Sequence, residues 1–190
     1  MSLIIRERSL GDAGFAWVPT GPGPFPAILV IHDTHPWCGG WASRDAAVLA
    51  AHGMAALAVR DDLALAASAL RAAPFANGRL GVFAVGAGAA RVAAALADIR
   101  PDAVALHAPS PLADDALDGL TVPLFLSHGT ADDIMPVETS RRLQARLPQV
   151  EAHYYDGLDH GLNDEDAANG NTERWVNFLR RHLDSVERAR

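Results

Sequence analysis

Lysine is absent from the chain: all 16 basic residues are arginine. Schiff-base chemistry, a phosphate-loop lysine and a Ser–Lys dyad are thereby excluded. Cysteine is nearly absent too. With Cys38 alone, neither an internal disulfide nor a multi-cysteine zinc or iron–sulfur centre can form. No apolar run reaches the ~18 residues needed to span a bilayer. The segment MSLIIRERSLGD carries charges where a secretory signal needs an apolar stretch, so a cytoplasmic location is expected. Positive charge is the scarcer sign, 16 basic against 23 acidic residues, for a net charge of −7. That balance argues against nucleic acid or an anionic membrane surface as partner, because both attract basic patches. Internal repeats and low-complexity linkers are also missing.

What remains is a globular composition. In 190 residues, 49% are hydrophobic and 21% charged, which fits one domain over 1–190 with a sizeable buried core. Segments 2–7 and 14–19 read as short strands, followed by a Gly- and Pro-rich turn. Further strands are expected over 27–32, 54–60, 79–85, 103–107, 123–127 and 151–155, since each is a short apolar run closed by a turn former. Helical spacing falls between them, over 43–52, 62–73, 88–99, 137–147 and 172–186. Asn171 or Thr172 is positioned to cap the last of these. Strands alternating with amphipathic helices imply a mostly parallel sheet covered on both faces. Ligands of such sheets bind where the strands end. The residues there are polar and rich in histidine: His32-Asp33-Thr34-His35, Gly86, His107 to Ser110, His128 to Asp133, and Asp156 to His160.

Three of these turns form an ordered set. Leu80 to Ala90 resembles the strand–elbow–helix of the α/β-hydrolases, His128 to Pro136 their acid loop, and Tyr155 to Gly161 their histidine loop. Element lengths resemble the dienelactone hydrolase branch most closely, from about residue 26 to 183. The resemblance implies an α/β-hydrolase fold: a mostly parallel twisted sheet of about seven to eight strands, helices on both faces, and no lid domain. It also implies the chain order nucleophile, acid, base. Asp132 then takes the place of the acid that orients the imidazole, and His160 that of the base. Asp133 is expected to be solvated.

The elbow departs from the pattern. The family's small–x–nucleophile–x–Gly falls on Ala84, Val85, Gly86, Ala87 and Gly88, so the reactive position holds Gly86, which has no side chain. The backbone N–H of Ala87, with a second from Asp33 or Thr34, is expected to form an oxyanion-type pocket. Candidate attackers are Cys38, Ser110, or a water in the space left at Gly86 with His160 as its base. Trp37, Trp41, His107 and Ser110 are candidates to contact substrate. His32, His107, His128 and His160 all lie at strand ends, but His32 and His128 stand where related hydrolases brace their loops, so no metal is expected. The reading is a cofactor-free hydrolase of a small carboxylic ester or lactone with an atypical site. Its alternative is a catalytically silent binding protein for a small carboxylate or ester on the same frame. Neither nucleic acid nor membrane is an expected partner, and oligomeric state is left open.

Overall fold

The computed structural model describes residues 5–33, 39–113, 120–147 and 149–184. Its centre is β3 (Phe25–Ile31), whose run FPAILVI is buried almost throughout. The strand has two apolar faces because its side chains alternate. Ala27, Leu29 and Ile31 enter one hydrophobic layer, and Ile28 and Val30 enter the other. On either side of it lie β4 (Ala55–Ala58) and β5 (Ala76–Val85), both parallel to it. Beyond β5 come β6 (Ala103–His107), β7 (Leu124–Gly129) and β8 (Val150–Tyr155), again parallel. The antiparallel β1 (Ile5–Ser9) and β2 (Phe15–Pro19) close the other edge. The eight strands run β1-β2-β4-β3-β5-β6-β7-β8.

Helices cover both faces. On one, α1 (Gly39–Ala51) brings Ala46 and Leu49, and α5 (Glu165–Leu183) brings Trp175, Phe178, Leu179 and Leu183, against the Ile28 side of β3. On the other lie α2 (Leu63–Ala72), α3 (Gly88–Ile99) and α4 (Val137–Arg146), through Leu70, Val92 and Leu143. Among the described residues no lid domain covers the strand ends, and no helix is long and apolar enough to cross a membrane.

Several boundaries differ from the sequence reading. Helix α1 starts at Gly39 rather than Ser43, despite two opening glycines of poor helix propensity. Helix α5 starts at Glu165, seven residues before Thr172. Its cap is Asp164, whose carboxylate accepts the Ala167 N–H at 2.9 Å, and Glu165 and Asp166 follow in the first turn where the helix dipole favours them. Asn171 and Thr172 are therefore interior to the helix rather than its cap. Strand β5 begins at Ala76 and carries Gly78 at φ +85° within it.

Candidate active site

The strand order brings the carboxyl ends of β3, β5, β6, β7 and β8 side by side along one rim of the sheet. His32 and Asp33 leave β3, and Gly86 and Ala87 lead from β5 into α3. Ala108 and Ser110 follow β6, Asp132 follows β7, and His160 follows β8.

The β7 and β8 loops are laced together before any functional side chain is considered. The Thr130 N–H donates to Tyr155 O and the Ala131 N–H to Leu158 O, both at 2.9 Å. Thr130 Oγ1 donates to Asp156 and accepts from the Gly157 amide. Asp159 Oδ1 takes the amides of Gly161 and Asn163, folding the turn that carries His160. On this frame His160 Nδ1 donates to Asp132 Oδ2 at 2.8 Å. Asp132 Oδ1 accepts the amides of Ile134 and Met135, each at 2.8 Å. The Asp132 carboxyl is fully buried, and its oxygens are met by donors. Burial by itself would raise its pKa; the Met135 amide, His160 and the Ile134 amide outweigh this and hold it below the ordinary carboxylate value.

Two further histidines hold this pair in place. His128 is buried and joins Ser140 Oγ to Met135 O, with Nδ1 2.6 Å from the hydroxyl and Nε2 2.9 Å from the carbonyl. The second contact requires the ring proton on Nε2, where it is shared with Asp132 Oδ2 at 3.1 Å. His107 lies between Ser127 Oγ at 2.9 Å and the backbone carbonyl of His160 at 3.0 Å. Burial pushes its pKa down to about 4, against the favourable bond to the His160 carbonyl. His107 is thus neutral at pH 7, its Nε2–H donating to His160 O and its Nδ1 accepting from Ser127. Both ring nitrogens are engaged within the protein. His32 is likewise paired, Nε2 to Asp45 Oδ2 at 2.9 Å. No group of three or more His, Cys, Asp or Glu among the described residues is arranged to hold a metal ion.

His160 lines a cavity of about 890 Å³ together with Asp33, Ala87 and His107. Its walls are largely aromatic and aliphatic: Trp41, Phe83, Ile134, Met135, Leu162 and Trp175. Trp175 of α5 stacks on Phe83 of β5, ring centres 4.1 Å apart. Trp41 is exposed in α1, with the Arg44 guanidinium 5.5 Å above its ring. Asn171 reaches the same cavity from inside α5 and accepts the Tyr155 hydroxyl at 3.2 Å.

At the elbow, Gly86 has φ +57°, the left-handed backbone that glycine adopts readily and other residues do not. Its N–H donates to His107 O and its carbonyl accepts the Ser110 N–H. The following Gly88 lets α3 approach β3 closely, since a methyl there would lie 2.5 Å from Ile31 O.

The surroundings of Gly86 differ from expectation. A methyl group on Gly86 would lie 2.5–2.9 Å from three atoms of the Asp33 carboxyl group, so that carboxylate fills the volume expected to admit a water. Asp33 contributes its side chain: its Oδ1 accepts the Ala87 N–H, the donor expected to face substrate. Ser110 is buried beside the elbow but off the cavity wall, and its hydroxyl meets no hydrogen-bond partner among the described residues. Thr34, Trp37 and Cys38 lie outside the described residues.

No family model matches the sequence, and none of the curated proteins does. Solved structures match over nearly the whole chain. An esterase from Pyrococcus furiosus superposes with a TM-score of 0.75 at 15% identity, covering 96% of this chain and 92% of the other. A dienelactone hydrolase from Anabaena variabilis gives 0.74 at 16% identity, with 96% and 100% covered. The esterase domain of a Rhodothermus marinus protein gives 0.71 at 18%, again with 96% and 100% covered. The fold is that of the α/β-hydrolases.

Proposed function

We propose that this chain is a hydrolase of small carboxylic esters or lactones, with His160 as its general base and Asp132 as the group that orients it. The observation that carries this reading is the 2.8 Å bond from His160 Nδ1 to a buried carboxylate, at the wall of a cavity of about 890 Å³. With Nδ1 so engaged, Nε2 is the nitrogen available to take a proton, and no protein hydrogen bond reaches it among the described residues. The apolar walls of the cavity favour small, neutral substrates. Solved structures of the same fold are esterases and a dienelactone hydrolase, which supports the same reaction class.

A second reading is favoured by one observation. The elbow carries no attacking atom, and the Ala87 N–H already serves Asp33. A binding protein would have the same features, and its ligand would be a neutral ester rather than a carboxylate, which would meet Asp33 as a like charge. The test is a series of aryl esters and lactones of increasing acyl length, followed both by product formation and by calorimetric binding. Turnover of the short members supports the hydrolase. Binding without turnover supports the second reading and overturns the first.

A further inference from the structure

The turn at Gly86 keeps the left-handed backbone of a reactive elbow, and its missing side chain is replaced by a group from elsewhere in the chain. Asp33, arriving from the end of β3, sets three carboxyl atoms 2.5–2.9 Å from the place where a Gly86 methyl would be. Only glycine leaves room for it. Oδ1 is fixed by the Ala87 N–H at the start of α3. Asp33 is half-buried and shares the wall of one cavity with His160. We propose that Asp33 is the nucleophile of this site and that it attacks a saturated carbon bearing a leaving anion, such as the alkyl carbon of a small strained lactone.

Carboxylate chemistry selects that carbon. On an acyl carbon, a carboxylate is a better leaving group than an alkoxide and is expelled again. An acyl mechanism would also need the Ala87 N–H for the oxyanion, and that N–H is bound to Asp33. Attack on a saturated carbon develops no such oxyanion. Oδ2 forms a bond to the alkyl carbon, the carbon–oxygen bond of the lactone breaks, and the ring oxygen departs with the electron pair as a carboxylate. Arg44, the guanidinium that lines the same cavity, supplies the positive charge on its wall.

The resulting alkyl ester of Asp33 is then hydrolysed. A water gives one proton to His160 Nε2 and adds to Cγ of Asp33. Negative charge collects on Oδ1, the atom that already faces the Ala87 N–H, so the donor idle in the first step acts in the second. Collapse breaks the Cγ–Oδ2 bond, and the alkoxide leaves as an alcohol with the proton from His160. Asp33 is regenerated as the acid carrying one oxygen from water, and it releases the remaining proton to solvent. The sum is lactone plus water giving a hydroxy acid.

This inference rests on the hydrolase reading with His160 as base, and the experiment separates the two. The intact protein, in excess, is mixed with β-propiolactone in water labelled with heavy oxygen, and the peptide containing Asp33 is analysed by mass spectrometry. One heavy oxygen in Asp33 after a single turnover is the expected result. Asp33→Asn should then fall to the protein-free rate, and His160→Gln should accumulate alkylated Asp33. Turnover above background with Asp33 unlabelled, or turnover retained in Asp33→Asn, overturns the nucleophile while leaving the hydrolase reading intact. So does hydrolysis of an aryl acetate alone, with the lactone untouched. If neither compound is turned over above the protein-free rate, the hydrolase reading falls and this inference falls with it.

Discussion

A methyl group on Gly86 and the carboxylate of Asp33 cannot occupy the same space, and the cost of forcing the conflict can be worked out. Gly86→Ala places an L-residue at φ +57°. Left-handed backbone of this kind costs about 1–2 kcal/mol for a residue with a Cβ. The new methyl also expels Asp33 from the Ala87 N–H, because separations of 2.5–2.9 Å are too short for non-bonded atoms to persist. Loss of a hydrogen bond to a charged group adds about 1.5–3 kcal/mol. Gly86→Ala should therefore destabilise the protein by about 2.5–5 kcal/mol in the native background. With Asp33→Gly already in place only the backbone part remains, about 1–2 kcal/mol. Urea unfolding of the native protein, both single variants and the double variant closes the cycle. A coupling of about 1.5–3 kcal/mol is expected. If Gly86→Ala costs the same in both backgrounds, to within about 0.5 kcal/mol, Asp33 does not fill that volume and the reasoning fails.

Other outcomes follow from the same geometry. His107 has an ordinary value of 6.5 and a folded value of about 4, so the unfolded chain takes up its proton first as pH falls. Stability is retained above pH 6.5 and lost towards pH 4, by about 3 kcal/mol at the acid limit. His107→Gln should flatten the pH dependence of urea unfolding within that window; an unchanged slope would contradict the assignment. Asp132→Asn leaves a carbonyl for the Ile134 and Met135 amides but turns an NH₂ towards His160 Nδ1, forcing the ring to the wrong tautomer. Turnover should fall by about 10³–10⁴-fold in steady-state assays. Gly86→Ser together with Asp33→Gly frees the Ala87 N–H and restores a hydroxyl at the elbow. A burst of acylation by an aryl acetate is expected in that pair in stopped-flow measurements, and it should be absent from Gly86→Ser alone.

The parts of the fold that were legible in the sequence are those governed by local patterning. Strand β6 and helix α3 fall where their apolar runs place them, over Ala103–His107 and Gly88–Ile99. Misplaced boundaries share one cause: residues that usually end or break an element lie inside one here. Gly39 and Gly40 open α1, Gly170 and Asn171 lie within α5, and Asn77 and Gly78 lie within β5. Asn171 is buried, and there packing outweighs its poor helix propensity. The Asp132–His160 pairing was legible because both residues sit in short loops with characteristic turn formers. The meeting of Asp33 with the elbow was not. It depends on two loops 54 residues apart meeting side chain to backbone, and a glycine in sequence does not show what fills the space beside it. Nor do the clamps on the site announce themselves: Ser127 and Ser140 read as ordinary small residues, yet each fixes a buried histidine.

Hydrolysis at this site depends first on His160 acting as a base. Steady-state rates of hydrolysis of a small lactone, measured for the native protein and for His160→Ala at equal concentration with a protein-free control, test it in one comparison. A native rate exceeding that of the variant by about 10²–10⁴-fold is the predicted result. Equal rates in the two proteins would contradict it.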